Sequence, residues 1–322
     1  MKTYLNLKNF VLILLGSLIL YLILGQKTIP NPKASPLTVV VSIKPIHSLV
    51  AGVTDGVLEP TLLIDSHASA HTYSLTPGDA KLLSGVGLFV WVGPIYETHI
   101  KNTVDKLVPD DKVLMLYKAT NQKLLPNRTG SFFPAGCSDH AHDHGDNTDG
   151  HIWLNPENAI GIVDAVAREL AKRDYAHADQ YLDNAKKVIE KLKALDVELQ
   201  ALLKPVQKKP YLQYHDAMHY FDQHFGTTSI GSVTIEPDMP PSAQHFIRLR
   251  ALLADKNNPL CPLCLFFEPQ SINQMNQKLA SEFSIPFAML DYLGKDQKPG
   301  PDAYFEIMRG IAHTLIEGLV IP

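Results

Sequence analysis

Histidine is the residue type that stands out in this sequence. Fourteen of the 322 residues are histidine, and three of them, His140, His142 and His144, fall within five positions. Imidazole suits divalent transition metals of borderline softness, with carboxylate or water completing the shell, and structural zinc favours four tetrahedral ligands. The composition therefore indicates metal binding, and the question is which histidines converge on one ion.

Three histidines and one aspartate stand where a set of metal ligands could form. His71 lies in the loop after the predicted strand LEPTLLI, His151 opens the segment HIWLNPE, and His215 ends the predicted strand YLQYH. Asp291 follows the apolar segment FAML. Ligands of parallel α/β sheets gather beyond the carboxyl ends of the strands, so these four residues are better candidates than histidines within helices. Their spacing forms no short-range motif.

The elements that must position these residues alternate between strands and helices. Runs rich in Val, Ile and Leu predict strands at 37–43, 58–64, 86–92, 113–116, 211–214, 228–234, 263–267 and 287–290. Helical patterns lie between them, at 47–53, from 76, from 155, and at 217–225, 243–255 and 272–283. Such alternation indicates an α/β fold with mainly parallel sheets covered on both faces, in which the second half repeats the architecture of the first.

A long segment without glycine or proline separates the two halves. Between Tyr175 and Pro205, apolar residues fall at helical spacing. A helix of about 28 residues would reach roughly 40 Å, far enough to run along two domains, and a chain of 322 residues also suggests two domains. We therefore predict an N-terminal α/β lobe over 35–174, a connecting helix over 175–205 and a C-terminal α/β lobe over 206–322.

The N-terminus has the layout of a secretory signal. Lys2 and Lys8 precede the uncharged apolar run 10–25, and a polar stretch with two prolines follows it. The run is shorter than the roughly 20 residues that cross a membrane as a helix, yet it is apolar enough to remain as an uncleaved anchor. Residues 1–34 are predicted to be a signal peptide or an anchor, and the rest of the chain a soluble monomer in the periplasm.

Composition excludes several other classes. Hydrophobic residues make up 45% and charged residues 19%, which is typical of a globular protein and not of disorder. The net charge is −4 and no stripe of Lys and Arg occurs, so a nucleic-acid partner is not expected. With three cysteines, the stability of the chain should come from a hydrophobic core and not from a disulfide framework.

Six segments carry a resemblance to one protein family. In chain order they are SAHTYSLTPGDAKLL, LFVWVGPIYE, DGHIWLNPENA, YHDAMHYFDQHFG, FFEPQ and LDYLG. They resemble the high-affinity zinc-binding proteins of bacterial ATP-driven (ABC) zinc importers. The resemblance implies two (β/α) lobes joined by a long rigid helix, a Zn²⁺ site in the cleft between the lobes, delivery of zinc to an ABC permease, and no enzymatic activity. On these motifs His71, His151 and His215 match the three metal-binding imidazoles.

The resemblance leaves the fourth ligand open. Some zinc-binding members carry an acidic residue just before the first histidine, where this chain has Ala70. The fourth position then falls to Asp291, to water or to His67, and Asp291 is preferred. Manganese-binding relatives carry Glu in place of His215, so this residue favours zinc. Glu268 in FFEPQ is expected to form an ion pair in the cleft or between the lobes and not to bind metal.

The resemblance also gives a role to the histidine run. Residues 126–150 are hydrophilic and rich in turn formers, which predicts an exposed and mobile loop. His140, His142 and His144 resemble the metal-collecting loop of many zinc-binding members, where weak binding would raise the local zinc concentration. Because imidazole must be neutral to bind metal, zinc affinity is expected to fall below about pH 6.5.

The cysteines depart from the family pattern. Cys264 falls where relatives place a disulfide cysteine, but the usual C-terminal partner is missing from this chain. Cys261 is close enough to replace that partner, so a bridge between Cys261 and Cys264 is expected in an oxidising compartment. Cys137, beside the histidine run, is expected to be free or to bind metal.

Two other functions compete with zinc delivery. A zinc hydrolase needs an open metal position and a general base, as in HExxH, but HDAMH at 215–219 has Asp where Glu would stand. A manganese or iron receptor, or a metal-binding adhesin of the same fold, is the other alternative. Zinc capture makes and breaks no covalent bond, and with a rigid connecting helix we expect small lobe adjustments and not wide hinge closure.

Overall fold

The structure is a computed structural model that describes residues 37–119, 122–128, 147–234, 242–254, 261–271 and 285–320. Several predictions fall outside these ranges: the signal or anchor segment 1–34, the helix at 272–283, Cys137, and the metal-collecting histidines His140, His142 and His144. Within the described ranges, no helix has both the length and the apolar character that crossing a membrane requires.

The N-terminal half contains a sheet of four parallel strands. Its strands are β1 (Val39–Val41), β2 (Thr61–Leu62), β3 (Leu88–Trp91) and β4 (Val113–Met115), and their order across the sheet is β2-β1-β3-β4. Val40 of β1 aligns with Thr61 of β2 on one side and with Phe89 of β3 on the other. Every residue of β1 and β3 is buried, as expected for parallel strands covered on both faces.

The C-terminal half contains a second sheet of the same topology. Its strands are β5 (Pro210–His215), β6 (Thr228–Thr234), β7 (Leu265–Phe267) and β8 (Phe287–Met289), in the order β6-β5-β7-β8. All of these strands pair in parallel. The prediction of an α/β fold in which the second half repeats the first is therefore confirmed.

Helices flank both sheets. In the N-terminal half they span Lys44–Thr54, Pro77–Ser84, Lys101–Leu107 and Pro156–Arg173, and in the C-terminal half His219–Phe225, Ala243–Ala254 and Ala303–Leu319. Two begin with side-chain caps that the sequence indicates. The Thr76 and Asp79 side chains accept each other's backbone N–H in a capping box, and the Asn155 side chain accepts the N–H of Glu157.

The connecting helix spans Ala178–Leu203 and follows a short 3-10 turn at Tyr175–His177. Its 26 residues correspond to about 39 Å of helix. One stripe of apolar side chains is buried along its length, from Tyr181 through Leu192 to Leu203. The helix packs against Lys44–Thr54, Pro156–Arg173 and Ala303–Leu319, and it thereby contacts elements of both halves.

The two halves share one core and several cross-connections. Buried apolar side chains form a continuous cluster from the N-terminal sheet through the connecting helix to the helix Ala303–Leu319. In that last helix, the Tyr304 backbone N–H donates to Ser48 Oγ at 2.8 Å and its hydroxyl donates to the carbonyl of Trp153 at 2.8 Å. The buried Lys44 ammonium donates to the carbonyls of Gly294 at 2.5 Å and Gln297 at 2.8 Å.

Candidate metal centre

Three imidazoles from different parts of the chain converge between the two sheets. His71 lies in the loop after β2, His151 immediately precedes a 3-10 turn at Ile152–Leu154, and His215 is the last residue of β5. One ring nitrogen of each lies within 4.8 Å of the corresponding nitrogens of the other two. Zinc–nitrogen bonds of about 2.0–2.1 Å require roughly 3.4 Å between tetrahedral ligands, so movements of under about 1 Å per ring would suffice.

The ring nitrogens that face this cluster lack protein partners. The Nε2 atoms of His71, His151 and His215 are all buried, and none accepts or donates a hydrogen bond within the described part of the chain. A buried polar atom without a partner costs free energy, so such atoms are rare in folded proteins. Three of them in one place are the arrangement expected of metal ligands.

Carboxylates stand behind two of the imidazoles. Asp149 Oδ1 lies 2.8 Å from His151 Nδ1 and also accepts the His151 backbone N–H at 2.9 Å. Glu268 Oε1 lies 2.5 Å from His215 Nδ1. A carboxylate accepting the Nδ1 proton fixes the tautomer in which Nε2 carries the free lone pair, and it makes that nitrogen a better ligand. Glu268 thus pairs with an imidazole in the cleft, whereas the contribution of Asp149 was not predicted.

The protonation of the three rings differs. Burial lowers the pKa of His71 well below its ordinary value, and the His215 and His151 rings lower it further. Burial likewise lowers the pKa of His151 to about 3. Burial alone would lower the pKa of His215, but the charge and hydrogen bond of Glu268 outweigh it and raise that pKa above its ordinary value. At neutral pH, His71 and His151 are therefore neutral and ready to bind a cation.

Aromatic side chains enclose the imidazoles. The Tyr96 ring lies edge-on to His71 at 4.5 Å and to His151 at 5.1 Å between centroids. Trp153 and Tyr292 lie 5.5 and 5.6 Å from the His151 ring. These apolar surfaces exclude water and lower the local dielectric, which strengthens the interaction of a cation with its ligands.

Asp291 lies at the end of β8, as predicted, but its carboxylate serves a turn. Oδ1 accepts the backbone N–H groups of Leu293 at 3.2 Å and Gly294 at 2.8 Å, and Oδ2 accepts that of Lys295 at 2.6 Å. Asp291 is not a member of the cluster of mutually close ligand atoms that the described residues form. Its role as fourth ligand stays a prediction.

His67 lies outside the cluster of three rings as well. Its side chain is 62% exposed, and its Nδ1 lies 2.7 Å from the Asp65 carboxylate. The three residues that separate it from His71 therefore carry the chain from solvent into the cleft. In this arrangement His67 belongs to the surface.

The two cysteines at 261 and 264 are both free thiols in the described part of the chain. Cys264 is buried, and burial raises the pKa of its thiol to about 12. Its Sγ packs close to the C-terminal helix, where a Cβ on Gly318 would approach it to 3.1 Å. Cys261 is partly exposed. The bridge expected between them is not formed in the structure, and it stays a prediction for the protein in an oxidising compartment.

The family and the relatives that this chain is similar to are zinc-uptake proteins. The model of the family described as "ZnuA: Zinc-uptake complex component A periplasmic" matches residues 39–318. A Brucella abortus protein named "High-affinity zinc uptake system protein ZnuA" is 35% identical over 310 residues, which cover 86% of this chain and 90% of the relative.

Solved structures share the fold. A crystal structure of ZnuA superposes with a TM-score of 0.72 at 20% identity and covers 88% of this chain and 100% of its own. A solute-binding protein, FpvC from Pseudomonas aeruginosa, in complex with Mn²⁺ also gives a TM-score of 0.72 at 20% identity, covering 88% of this chain and 99% of its own. At this identity the two comparisons establish the two-lobed α/β fold.

Proposed function

Since the chain belongs to the family of periplasmic zinc-uptake component A, we propose that it is a receptor that captures Zn²⁺ at His71, His151 and His215 and delivers it to an ABC permease. The observation that carries this proposal is the set of three buried Nε2 atoms without protein partners in the described residues. Export of the chain to the periplasm by segment 1–34 and action as a monomer belong to the same proposal.

Capture proceeds by exchange of ligands. Hydrated zinc loses water molecules as the three Nε2 atoms take their places, and the release of water favours binding. The Asp149 and Glu268 carboxylates hold two of the rings through Nδ1, so little side-chain freedom is lost at the moment of binding. No covalent bond is made or broken, and release to the permease reverses the exchange.

For the fourth position we propose a water molecule in place of Asp291. Both oxygens of Asp291 already accept backbone N–H groups of the turn at 293–295. Turning this carboxylate from the turn towards the cluster would leave one or more of those N–H groups without an acceptor, which costs free energy in a partly buried turn. Water from the cleft has no such cost.

The contacts around HDAMH do not support a hydrolase. In a zincin helix both histidines of HExxH bind the metal and the Glu serves as general base. Here Asp216, which stands where that Glu would be, pairs with Arg128. His219 is not part of the cluster, and its Nδ1 lies 3.7 Å from Asp149. Asp216 is held by an ion pair and His219 lies outside the cluster, which supports a receptor over an enzyme.

The test is a competition titration with zinc and with manganese on the chain from residue 35 onward, which contains the compact unit 37–322. Elemental analysis gives the stoichiometry. We expect at least one tightly bound zinc and weak binding of manganese. Failure to bind zinc tightly, or a preference for manganese, would contradict the proposal.

A further inference from the structure

A largely buried ion-pair cluster, in which Asp222 is buried and Arg128 and Asp216 are partly buried, joins the two halves of the molecule beside the three histidines. Arg128 of the N-terminal half donates from Nε to both carboxylate oxygens of Asp216, at 3.0 and 2.9 Å. Its Nη2 also donates to Asp216, and its Nη1 donates to Asp222 at 3.3 Å. The side chains of the three residues are 14%, 16% and 7% exposed. The guanidinium is therefore held by a rigid set of partners and not by a mobile surface pair.

On the C-terminal side, the cluster is attached to the end of β5. Asp216 follows His215 directly in the chain, and the Gln213 side chain donates to it at 3.1 Å. Asp222 accepts the Tyr211 hydroxyl and the Thr227 hydroxyl, each at 2.6 Å. These bonds fix both acceptors of Arg128 relative to the strand that ends in His215.

On the N-terminal side, Arg128 adjoins a short two-stranded segment, residues 125–127 paired with 147–149, which we call the neck. Pro126 and Thr148 form an antiparallel bridge, and the Asp149 N–H donates to the Leu125 carbonyl at 2.9 Å. The neck ends at Asp149, whose carboxylate contacts His151 Nδ1. The position of the neck therefore sets the position of the His151 ring.

Tyr220 forms a second contact between the C-terminal half and the neck. The Tyr220 hydroxyl, from the helix His219–Phe225, accepts the Leu125 N–H at 3.0 Å and donates to the Asp149 carbonyl at 2.9 Å. The C-terminal half thus contacts the neck at two points, through Tyr220 and through the two carboxylates that bind Arg128. Of these contacts, Asp216 directly follows the proposed ligand His215, and Tyr220 binds the backbone of Asp149, whose carboxylate contacts His151.

Given the zinc capture proposed above, we infer that Arg128 is a positioning residue that sets the separation of His151 from His215, and with it the affinity and selectivity for zinc. The path from one ring to the other runs through Asp149, the neck, Arg128 and Asp216. A guanidinium can hold one carboxylate with two nitrogens and reach a second with its third, whereas a lysine ammonium is a point charge without that fixed geometry.

A charge role and a positioning role of Arg128 predict opposite changes in zinc affinity when this residue is replaced. An experiment can therefore distinguish the two roles. Asp216 and Asp222 are two carboxylates facing one guanidinium. If Arg128 only neutralised charge, its replacement by methionine would make the cleft more negative and strengthen the binding of any divalent cation. If Arg128 positions the rings, its replacement weakens zinc binding, and manganese, which accepts other geometries and prefers oxygen ligands, loses less.

The experiment measures zinc and manganese dissociation constants by competition titration for the full chain and for Arg128→Lys, Arg128→Met and Arg309→Lys. Arg309→Lys is the matched control, because Arg309 also forms a two-nitrogen pair, with Glu198, but on an exposed helix surface. We expect Arg128→Lys to weaken zinc binding by about tenfold or more and to reduce the preference for zinc over manganese. The control should bind as the unmodified chain does.

A readout of geometry accompanies the titration. Cobalt bound in place of zinc absorbs visible light according to its coordination geometry, so Arg128→Lys should change the cobalt spectrum while Arg309→Lys leaves it unchanged. Circular dichroism checks folding. If Arg128→Lys does not fold, Asp216→Asn replaces it, since it retains the size of the side chain and removes one of the two charges that hold the guanidinium.

The outcomes separate this inference from the proposed function. Wild-type zinc affinity, selectivity and cobalt spectrum in a folded Arg128→Lys chain would overturn the positioning role and leave zinc capture intact. Stronger binding of both metals by Arg128→Met would also overturn it, in favour of a charge role. An unmodified chain that binds no zinc would overturn the proposed function itself.

Discussion

The carboxylates behind the imidazoles decide which ring nitrogen is offered to a metal. Asp149 and Glu268 contact Nδ1 of His151 and His215, so Nε2 of each ring faces the cleft. A metal bound there is held by ligands whose orientation is already fixed, and this lowers the entropy lost on binding. Substitution of an imidazole and substitution of Asp291 are therefore expected to change zinc affinity by different amounts.

Loss of an imidazole should cost far more zinc affinity than loss of the Asp291 charge. Zinc sites with four ligands correspond to about 10–16 kcal/mol, which is roughly 3 kcal/mol per ligand. We expect His71→Ala and His215→Ala each to weaken zinc binding about a hundredfold or more, and Asp291→Asn to weaken it less than about tenfold. Competition titration measures all three. Equal losses from Asp291→Asn and His71→Ala would make Asp291 a ligand.

Zinc binding near pH 6 should release about one proton and not three. The pKa values of His71 and His151 are lowered, so these rings have no proton to lose, whereas the pKa of His215 is raised by Glu268 against the effect of burial. Calorimetric titration in buffers of different ionisation enthalpy counts the protons, and the number should fall as pH rises. Release of two or more protons from the rings at pH 6 would mean ordinary imidazoles, each about three-quarters protonated there.

Glu97 should make the metal-free protein less stable as pH rises. Burial raises the pKa of this carboxyl group to about 7, against hydrogen bonds from Ser42 and the Gly93 N–H. Its folded pKa thus exceeds the unfolded value, so its contribution is complete below about pH 4.5 and is lost as pH rises to about 7. The expected loss is up to about 3 kcal/mol.

Chemical denaturation of the unmodified chain and of Glu97→Gln between pH 5 and pH 8 measures this contribution. The difference in unfolding free energy between the two chains should shift in favour of the variant as pH rises, because glutamine carries no charge at either pH. A difference that stays constant over this range would show that Glu97 has an ordinary pKa in the folded protein.

Sequence reasoning found the three imidazoles because strand ends locate side chains at one edge of a sheet. It could not decide the role of Asp291, since the same position at a strand end serves equally for a ligand or for a turn. It also did not find the pairing of Asp149 with His151, although an acidic residue two positions before a histidine was visible. Which of these roles a carboxylate takes depends on side-chain direction, and the sequence pattern does not contain that.

At the scale of elements, the runs of Val, Ile and Leu located all eight described strands but overestimated the lengths of six of them. The segment 86–92 is buried except for the half-buried Gly87, yet only Leu88–Trp91 pairs as strand. Apolar residues continue past the last ladder hydrogen bond because the strand ends are buried too. The helix Ala303–Leu319 was not predicted, although Glu306, Arg309, His313 and Glu317 recur at helical spacing opposite its buried apolar side.

Close contact between two helices should make Gly52 intolerant of a side chain. A Cβ at Gly52 would lie 2.7 Å from Val188 Cγ2 on the connecting helix, and valine has little rotamer freedom in a helix. We expect Gly52→Ala to destabilise the protein by about 1–3 kcal/mol. Denaturant unfolding measures the change.

A second glycine provides the control. A Cβ at Gly310, in the helix Ala303–Leu319, would meet no described atom within 4 Å. Gly310→Ala should therefore stabilise the protein by about 0.5–1 kcal/mol through helix propensity alone. If both substitutions have the same sign, the packing of the helix Lys44–Thr54 on the connecting helix is looser than the contact distance implies.

At the scale of the whole molecule, the two halves are tied together at several separate places. A continuous apolar core runs through the connecting helix, Lys44 binds carbonyls at 294–297, and Tyr304 binds Ser48 and Trp153. Rotation of one half against the other would break many of these contacts together. The lobes are therefore expected to keep their separation when zinc binds.

Small-angle X-ray scattering of the metal-free and zinc-loaded chain tests this expectation. The radius of gyration should be the same within experimental error in both states, near the roughly 19 Å expected for a compact unit of this size. As a positive control, acid unfolding of the same sample shows the response of the measurement. A clear decrease on adding zinc would indicate hinge closure.

The connecting helix also limits the ways in which a membrane partner could distinguish the zinc-loaded protein from the zinc-free protein. A carrier whose outline is the same with and without its ion gives a membrane partner no change of shape to recognise. The feature that distinguishes the zinc-loaded protein must then be local. It is either a change in the mobility of the rim around the cleft or the charge that the bound dication adds there. Because the lobes keep their separation, the difference between the loaded and the empty protein lies at the rim of the cleft and not in the overall shape of the molecule.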